Sequence, residues 1–219
     1  MTDNAPKALR HVEIERKFDV PGSVALPSFE DIAGVSRVEE LPAQILTAIY
    51  FDTAAHDLAL QQMTLRRRTG GLDAGWHLKV PAGPDARTEV RAPLGAATHP
   101  DDDPIPDELL ALVQEIAAGR PLAPVAWVRT TRVVHVLHGS QGTAMAEFCD
   151  DRVNAQAIAV ADESSPPPAE QCWREWELEL LSPSTNTDLL DRLGDWLLQA
   201  GAHPAGHGSK LARVLDAFR

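Results

Sequence analysis

Apolar and charged positions alternate with a period of two along much of the chain, which predicts a protein built mainly of strands with charged polar faces. The clearest run is His11-Val12-Glu13-Ile14-Glu15-Arg16-Lys17-Phe18-Asp19-Val20. As a strand it places Glu13, Glu15 and Lys17 on one face and Val12, Ile14, Phe18 and Val20 on the other, with Arg16 the one polar residue among them. Pro21-Gly22 ends it. Further strand-like runs cover 44–52, 63–69, 75–80 and 87–92. Their short links, rich in Gly, Asp and Pro, suit an antiparallel meander. A second set covers 125–137, 143–150 and 172–181. Helical spacing marks 107–118, where Leu109, Leu112, Val113 and Ile116 form a stripe that Gly119 terminates. It recurs at 187–200, stopping at Gly201, and from Ser209 to the end with Leu211, Val214, Leu215 and Phe218 on one side. A short helix is expected over 28–33. Residues 1–10 read as a flexible leader, 11–219 as a single domain, 99–106 as an acidic, proline-punctuated loop and 162–168 as a mobile surface loop. Strands, helix, strands, helices is the order of an antiparallel α+β domain whose sheet can curl into a barrel.

Composition narrows the partners. The 20 basic and 32 acidic residues leave a formal charge of -12, so the general surface repels nucleic acid and acidic membranes. A polyanionic substrate then requires that the cations be gathered into one cavity. No apolar run is long enough to cross a bilayer, and Met1 to Pro6 lacks the character of a signal peptide. A cytoplasmic location with Cys149 and Cys172 reduced is expected. No histidine spacing resembles a zinc site. His77 reads as cavity-lining, and Trp76, Trp173 and Trp176 read as packing.

The charged faces are sorted by type. Arg66 and Arg68 share one face of their strand, and Arg67 joins Leu65 on the other; His77 and Lys79 lie opposite Trp76, Leu78 and Val80. Arg87, Glu89 and Arg91 alternate with Thr88 and Val90, and Glu175, Glu177 and Glu179 lie opposite Trp176, Leu178 and Leu180. One such strand is ordinarily amphipathic, with its polar side in water. Several of them, some carboxylate-rich and others rich in Arg and Lys, describe an interior if the sheet closes. The cations suit a polyphosphate, and the carboxylates suit it only with a divalent metal between.

Glu13-x-Glu15-x-Lys17 resembles the signature of the CYTH superfamily, the triphosphate tunnel metalloenzymes. The likeness continues in order through Tyr50-Phe51-Asp52-Thr53, Leu65-Arg66-Arg67-Arg68, Lys79 after Trp76, Arg87-x-Glu89, Arg132, Asp150, Glu175-x-Glu177-x-Glu179 and Gly208-Ser209-Lys210. The resemblance implies an eight-stranded antiparallel β-barrel, open as a tunnel and flanked by helices, acting on a triphosphate with Mg²⁺ or Mn²⁺. It implies phosphate binding by Lys17, Arg66, Arg68, Lys79, Arg132 and Lys210, with Arg87 a weaker member. Arg132 is preferred to Arg129 as the inward residue. The implied metal ligands are Glu13, Glu15, Glu175, Glu177, Glu179 and Asp150. Asp151 competes with Asp150, because a one-residue slip exchanges faces. The implied activity is release of orthophosphate from inorganic triphosphate, or from thiamine or nucleoside triphosphates, with Lys17 orienting water or acting as base. The alternatives are a class IV adenylyl cyclase and a non-catalytic polyphosphate or nucleotide sensor. The expected partner is a small triphosphate, without nucleic acid or membrane; a homodimer is left open.

Overall fold

A strand with one charged and one apolar face satisfies both only if each face finds its own solvent. Here the charged faces turn toward a common interior and the apolar faces turn out, under helices. The computed structural model describes residues 9–95, 103–158, 168–181 and 187–216. Eight antiparallel strands close a ring in the order β1 (Leu9–Asp19), β6 (Ala86–Ala92), β5 (Gly75–Gly83), β4 (Thr64–Thr69), β3 (Gln44–Asp52), β7 (Ala123–Gly139), β8 (Ala144–Ala157) and β9 (Gln171–Leu180), which returns to β1. Outside the ring, β2 (Val35–Glu40) pairs with β7 and β10 (His203–Pro204) with β1. The helices are α1 (Asp57–Leu60), α2 (Asp107–Ala117), α3 (Thr187–Gln199) and α4 (Lys210–Asp216).

The outward faces make two cores. Leu189, Leu190, Leu193 and Leu197 of α3 cluster with Phe18, Phe148, Trp176 and Leu178 of the barrel wall. Leu109 and Val113 of α2 cluster with Leu65, Trp76, Leu78 and Val90. Each buried side chain of this kind contributes about 1.5–3 kcal/mol, enough to fix both helices against the cylinder. A third cluster lies on the inward side. Asp151 faces the interior, so alternation turns Val153, Ala155 and Ala157 inward as well. Leu211, Val214 and Leu215 of α4 join this group, with Tyr50 and the half-buried Trp173. That packing carries Lys210, the first residue of α4, into the barrel.

Several expectations change. The strand of the supposed leader begins at Leu9, where Leu9 and Arg10 pair with Arg91 and Val90; residues 1–8 lie outside the described residues. No helix forms over 28–33. The chain turns there, with Asp31 and Ala33 at φ 65 and 53°, and enters β2, a strand too polar to be foreseen. β8 runs on to Ala157. Leu112 is 39 % exposed, and Ala117 takes its place in the buried stripe of α2. The single turn α1 was also unforeseen; it is held by Asp52, whose Oδ1 accepts from Leu58 N at 2.9 Å and whose Oδ2 accepts from Ala59 N at 2.9 Å. In the acidic segment, Asp103 is buried and accepts from Arg67 Nε at 2.7 Å and Trp76 Nε1 at 3.3 Å, while 99–102 lie outside the described residues. Outside them too are 162–167 and Phe218.

Gly70, after β4, has φ +80°, and a Cβ there would meet the Ile45 carbonyl on the neighbouring strand. Gly70→Ala is expected to lower unfolding free energy by about 2–4 kcal/mol, from left-handed strain plus that backbone clash. Urea unfolding of the purified variant measures it.

Candidate functional site

Register sets which charges meet inside the barrel. β1 pairs Glu15 with Glu179 and Lys17 with Glu177 across β9. β5 pairs Lys79 with Glu89 on β6 and with Thr64 on β4. The result is a cavity of about 280 Å³, lined by Glu13, Glu15, Lys17, Tyr50, Arg66, Arg68, Lys79, Arg87, Glu89, Arg91, Arg132, Glu147, Glu177, Glu179 and Lys210, among others.

One end is tightly compensated. Lys210 Nζ lies 2.8, 2.6 and 2.9 Å from carboxylate oxygens of Asp151, Glu175 and Glu177. Arg132 forks onto Asp151 at 2.7 and 2.6 Å and reaches Glu177 at 2.5 Å. Lys17 Nζ donates to Glu177 at 2.5 Å and to Glu15 at 3.0 Å. Burial works against ionisation of Glu177, but Lys17, Lys210 and Arg132 hold its pKa well below the usual carboxylate range. Burial works against Glu15 too, and Lys17 and Lys79 bring it to about 2. Burial disfavours the Lys17 ammonium, yet Glu15 and Glu177 raise its pKa.

Other groups are left short of partners. Arg66 makes no carboxylate pair among the described residues; its Nη1 donates to Tyr50 Oη at 3.3 Å, and its buried Nε finds no acceptor. The buried Nε of Arg68 also lacks an acceptor, although Arg68 pairs with Asp73. Burial and then Arg66 pull the Arg68 pKa down to about 10. Two crowded guanidiniums with unused donors fit an anion such as a phosphate chain. Opposite them, Glu15 Oε1 is buried without a hydrogen bond, with Arg87 Nε 3.6 Å away. An oxygen-rich carboxylate wall of this kind fits Mg²⁺ or Mn²⁺.

The structure thus brings together Glu13, Glu15, Lys17, Arg66, Arg68, Lys79, Arg132, Glu177, Glu179 and Lys210, with Glu175 held to Lys210. It does not bring Asp150 there. Asp150 is on the outer face, where it accepts from Arg174 at 2.7 and 2.9 Å and from Trp176 Nε1 at 3.1 Å. Asp151 takes the inward place, fully buried on Arg132 and Lys210. Arg129 is exposed. Arg87 lines the cavity, but its Nη1 and Nη2 donate to the carbonyls of Gln62 and Gly208 at 3.1 and 2.9 Å, which makes it a tie between loops. Sequence reasoning left Glu89 without a role. Glu89 is buried, accepts from His77 Nδ1 at 2.9 Å and pairs with Arg91. Its alternation with Arg87 and Arg91 was the available signal. His77 stands behind the cavity wall, held at about pKa 4 by burial and by Arg66 and Arg68 and therefore neutral. Cys149 and Cys172 are free thiols, and burial pushes Cys149 up to about 12.

Glu179 has a testable titration. Burial, then Glu13, Glu15 and Glu177, push its pKa up from 4.5 to about 8. Metal-free folded protein therefore holds a proton that the unfolded chain releases above pH 4.5, and stability from this group declines as pH rises toward about 8. Glu179→Gln is expected to flatten that decline, as read from Tm against pH in a chelating buffer.

The model of the CYTH domain family matches residues 11–194. Two Mycobacterium tuberculosis proteins, MT2285 (strain CDC 1551 / Oshkosh) and Rv2226 (strain ATCC 25618 / H37Rv), are each 57% identical over 222 aligned residues. The match takes in 99% of this chain but 42% of theirs, so the chain spans about two fifths of the curated relatives it matches. Among solved structures, a candidate adenylate cyclase from Bacillus halodurans aligns with TM-score 0.59 at 18% identity, covering 93% of this chain and 97% of that one. The PH1819 protein of Pyrococcus horikoshii aligns with TM-score 0.53 at 16% identity, covering 93% and 98%. At these identities the two structures speak for the fold. No helix among the described residues is long and apolar enough to cross a membrane.

Proposed function

The chain belongs to the CYTH domain family, and from that premise we propose that it hydrolyses a triphosphate within its barrel, using a divalent cation and releasing orthophosphate. Inorganic triphosphate is the substrate that the site fits best, because charged side chains make up most of the cavity lining. The observation that carries this reading is the meeting, in one cavity, of the buried Arg66 and Arg68 Nε donors without acceptors and the buried Glu15 Oε1 without a donor. A polyanion or a cation alone would satisfy one set and repel the other; the two together satisfy both.

Arg66, Arg68, Lys79, Arg132 and Lys210 hold phosphate oxygens and stabilise charge on the transferring phosphoryl group. Glu13, Glu15, Glu175, Glu177 and Glu179 are the proposed metal ligands, with Asp151 in place of Asp150. A bound Mg²⁺ or Mn²⁺ would polarise the phosphoryl oxygens and offset the carboxylate charge. Water attacks the terminal phosphorus in line, and the bridging P–O bond breaks with its electrons leaving on the diphosphate. In the metal-free protein Glu15 and Glu177 hold Lys17 as an ammonium, which supports a role in orienting phosphate or water. Lys210 lies beyond the matched region yet sits among the cavity charges, which supports a working domain that extends past residue 194.

The test is a turnover panel of tripolyphosphate, thiamine triphosphate and ATP, each with Mg²⁺ and with Mn²⁺. Orthophosphate from tripolyphosphate, lost with chelator, is the expected result. Cyclic AMP and pyrophosphate from ATP would replace this reading with a cyclase, and tight binding without turnover would replace it with a sensor.

A further inference from the structure

The carboxylates of the cavity are not equally free to take a cation. Asp151, Glu175 and Glu177 already face Lys210, Arg132 and Lys17 at 2.5 to 2.9 Å. Glu179, one step further along β9, has no ion pair within 4 Å among the described residues. Beside it, Glu13 is only 2 % exposed. Glu13 brings Oε2 to Lys79 at 2.5 Å, without an aligned hydrogen bond on that buried oxygen. It turns Oε1 to His11 Nε2 at 3.4 Å and Arg91 Nη2 at 3.6 Å.

His11 precedes the Glu13-x-Glu15-x-Lys17 run on the same face of β1 and stands at the lip of the barrel, its side chain 40% exposed. Its Nε2 also lies 3.7 Å from Glu89 Oε2, so it converges on two carboxylates at distances beyond a good hydrogen bond. A nitrogen of His11 and one oxygen each of Glu13 and Glu179 lie within 4.8 Å of one another. Two ligands bonded to one ion at about 2.0–2.3 Å stand at most about 4.6 Å apart, so a small inward movement of the half-exposed imidazole completes a common coordination sphere.

We propose that His11, with Glu13 and Glu179, forms the cation site at this end of the barrel and supplies a nitrogen ligand that selects a first-row transition ion such as Mn²⁺ over Mg²⁺. The proposal rests on the metal-dependent reading above. Mg²⁺ favours an all-oxygen shell with retained water, whereas imidazole suits transition ions. The neighbouring Asp151, Glu175 and Glu177 set is all oxygen and carries no such preference.

The test is direct titration of the chelator-stripped protein with Mn²⁺ and, separately, Mg²⁺, at a pH above the ordinary histidine value. It is paired with electron spin-echo modulation of bound Mn²⁺, which detects a directly bonded imidazole nitrogen. Wild type is expected to show ¹⁴N modulation and to bind Mn²⁺ about tenfold or more tighter than Mg²⁺. His11→Ala is expected to lose the modulation and most of that ratio, with Mg²⁺ affinity and circular dichroism nearly unchanged. Mn²⁺ binding without nitrogen modulation, or an equal loss of both affinities in His11→Ala, would overturn this inference and leave the metal-dependent reading standing. Failure of wild type to bind either ion would overturn both.

Discussion

Arg66→Ala is expected to lower tripolyphosphate turnover by about two to three orders of magnitude, the scale of removing one preorganised charged donor from a transition-state site, without weakening the fold. Most of the cavity cations hold a carboxylate, so their loss confuses binding with stability. Arg66 does not. Its partner is the neutral Tyr50 hydroxyl, its Nε is unmet, and it crowds Arg68. Taking it away relieves a like-charge contact. Tyr50, Glu89 and Glu177 favour the Arg66 charge in turn, so the variant should melt near the wild-type temperature while losing the Tm rise that tripolyphosphate gives to wild type through ligand linkage. Thermal scans with and without tripolyphosphate, beside a phosphate-release assay, separate the effects. A variant that unfolds early, or that turns over normally, would show Arg66 to be part of the wall instead of part of the site.

Glu177→Ala is expected to fail in the opposite manner, losing both turnover and stability. Glu177 is the shared partner of Lys17, Lys210 and Arg132. Removing one member of a buried, hydrogen-bonded charge set costs about 3–5 kcal/mol, because the remaining charges lose their compensation. For a domain of this size, an unfolding loss of that scale shifts Tm by about 10 °C or more. A multivalent anion should replace part of what is lost. Sulfate or tripolyphosphate is therefore expected to raise the melting temperature of Glu177→Ala more than that of wild type, since Lys17, Lys210 and Arg132 each lose one carboxylate there and keep only Glu15, Asp151 and Glu175. Equal shifts in the two proteins would show that the cations have rearranged onto other carboxylates.

The strands and their shared charged faces were legible because charge is written with period two, while closure into an eight-stranded barrel rested on the family resemblance. Glu13, Glu15 and Lys17, or Glu175, Glu177 and Glu179, can share a face only on a strand, and Trp176 and Leu178 between them then face α3. What alternation could not supply was phase where charge stands on both faces. At Asp150-Asp151 either residue could be the inward one. The pairing of β8 with β7 settles it, setting Asp151 across from Arg132, while Arg174 and Trp176 give Asp150 a place outside. Arg67 and Asp103 show the same limit: a buried outer ion pair between residues far apart in sequence leaves no local mark. The resemblance pointed to Arg87 as a weaker phosphate binder, but only the loop geometry shows its donors committed to Gln62 and Gly208. β2 and α1 were illegible because neither has an amphipathic pattern of its own. One is attached along β7 and the other is capped by Asp52.

The enclosed, opposed charges are expected to make anion and cation each bind more tightly in the presence of the other. Calorimetric titration with a non-hydrolysable methylene-bridged triphosphate, in saturating Mn²⁺ and again in chelator, measures that coupling without turnover. The expected result is one equivalent bound, with affinity at least about tenfold weaker in chelator, a coupling of about 1.4 kcal/mol or more. Binding indifferent to the metal, or no binding under either condition, would contradict it.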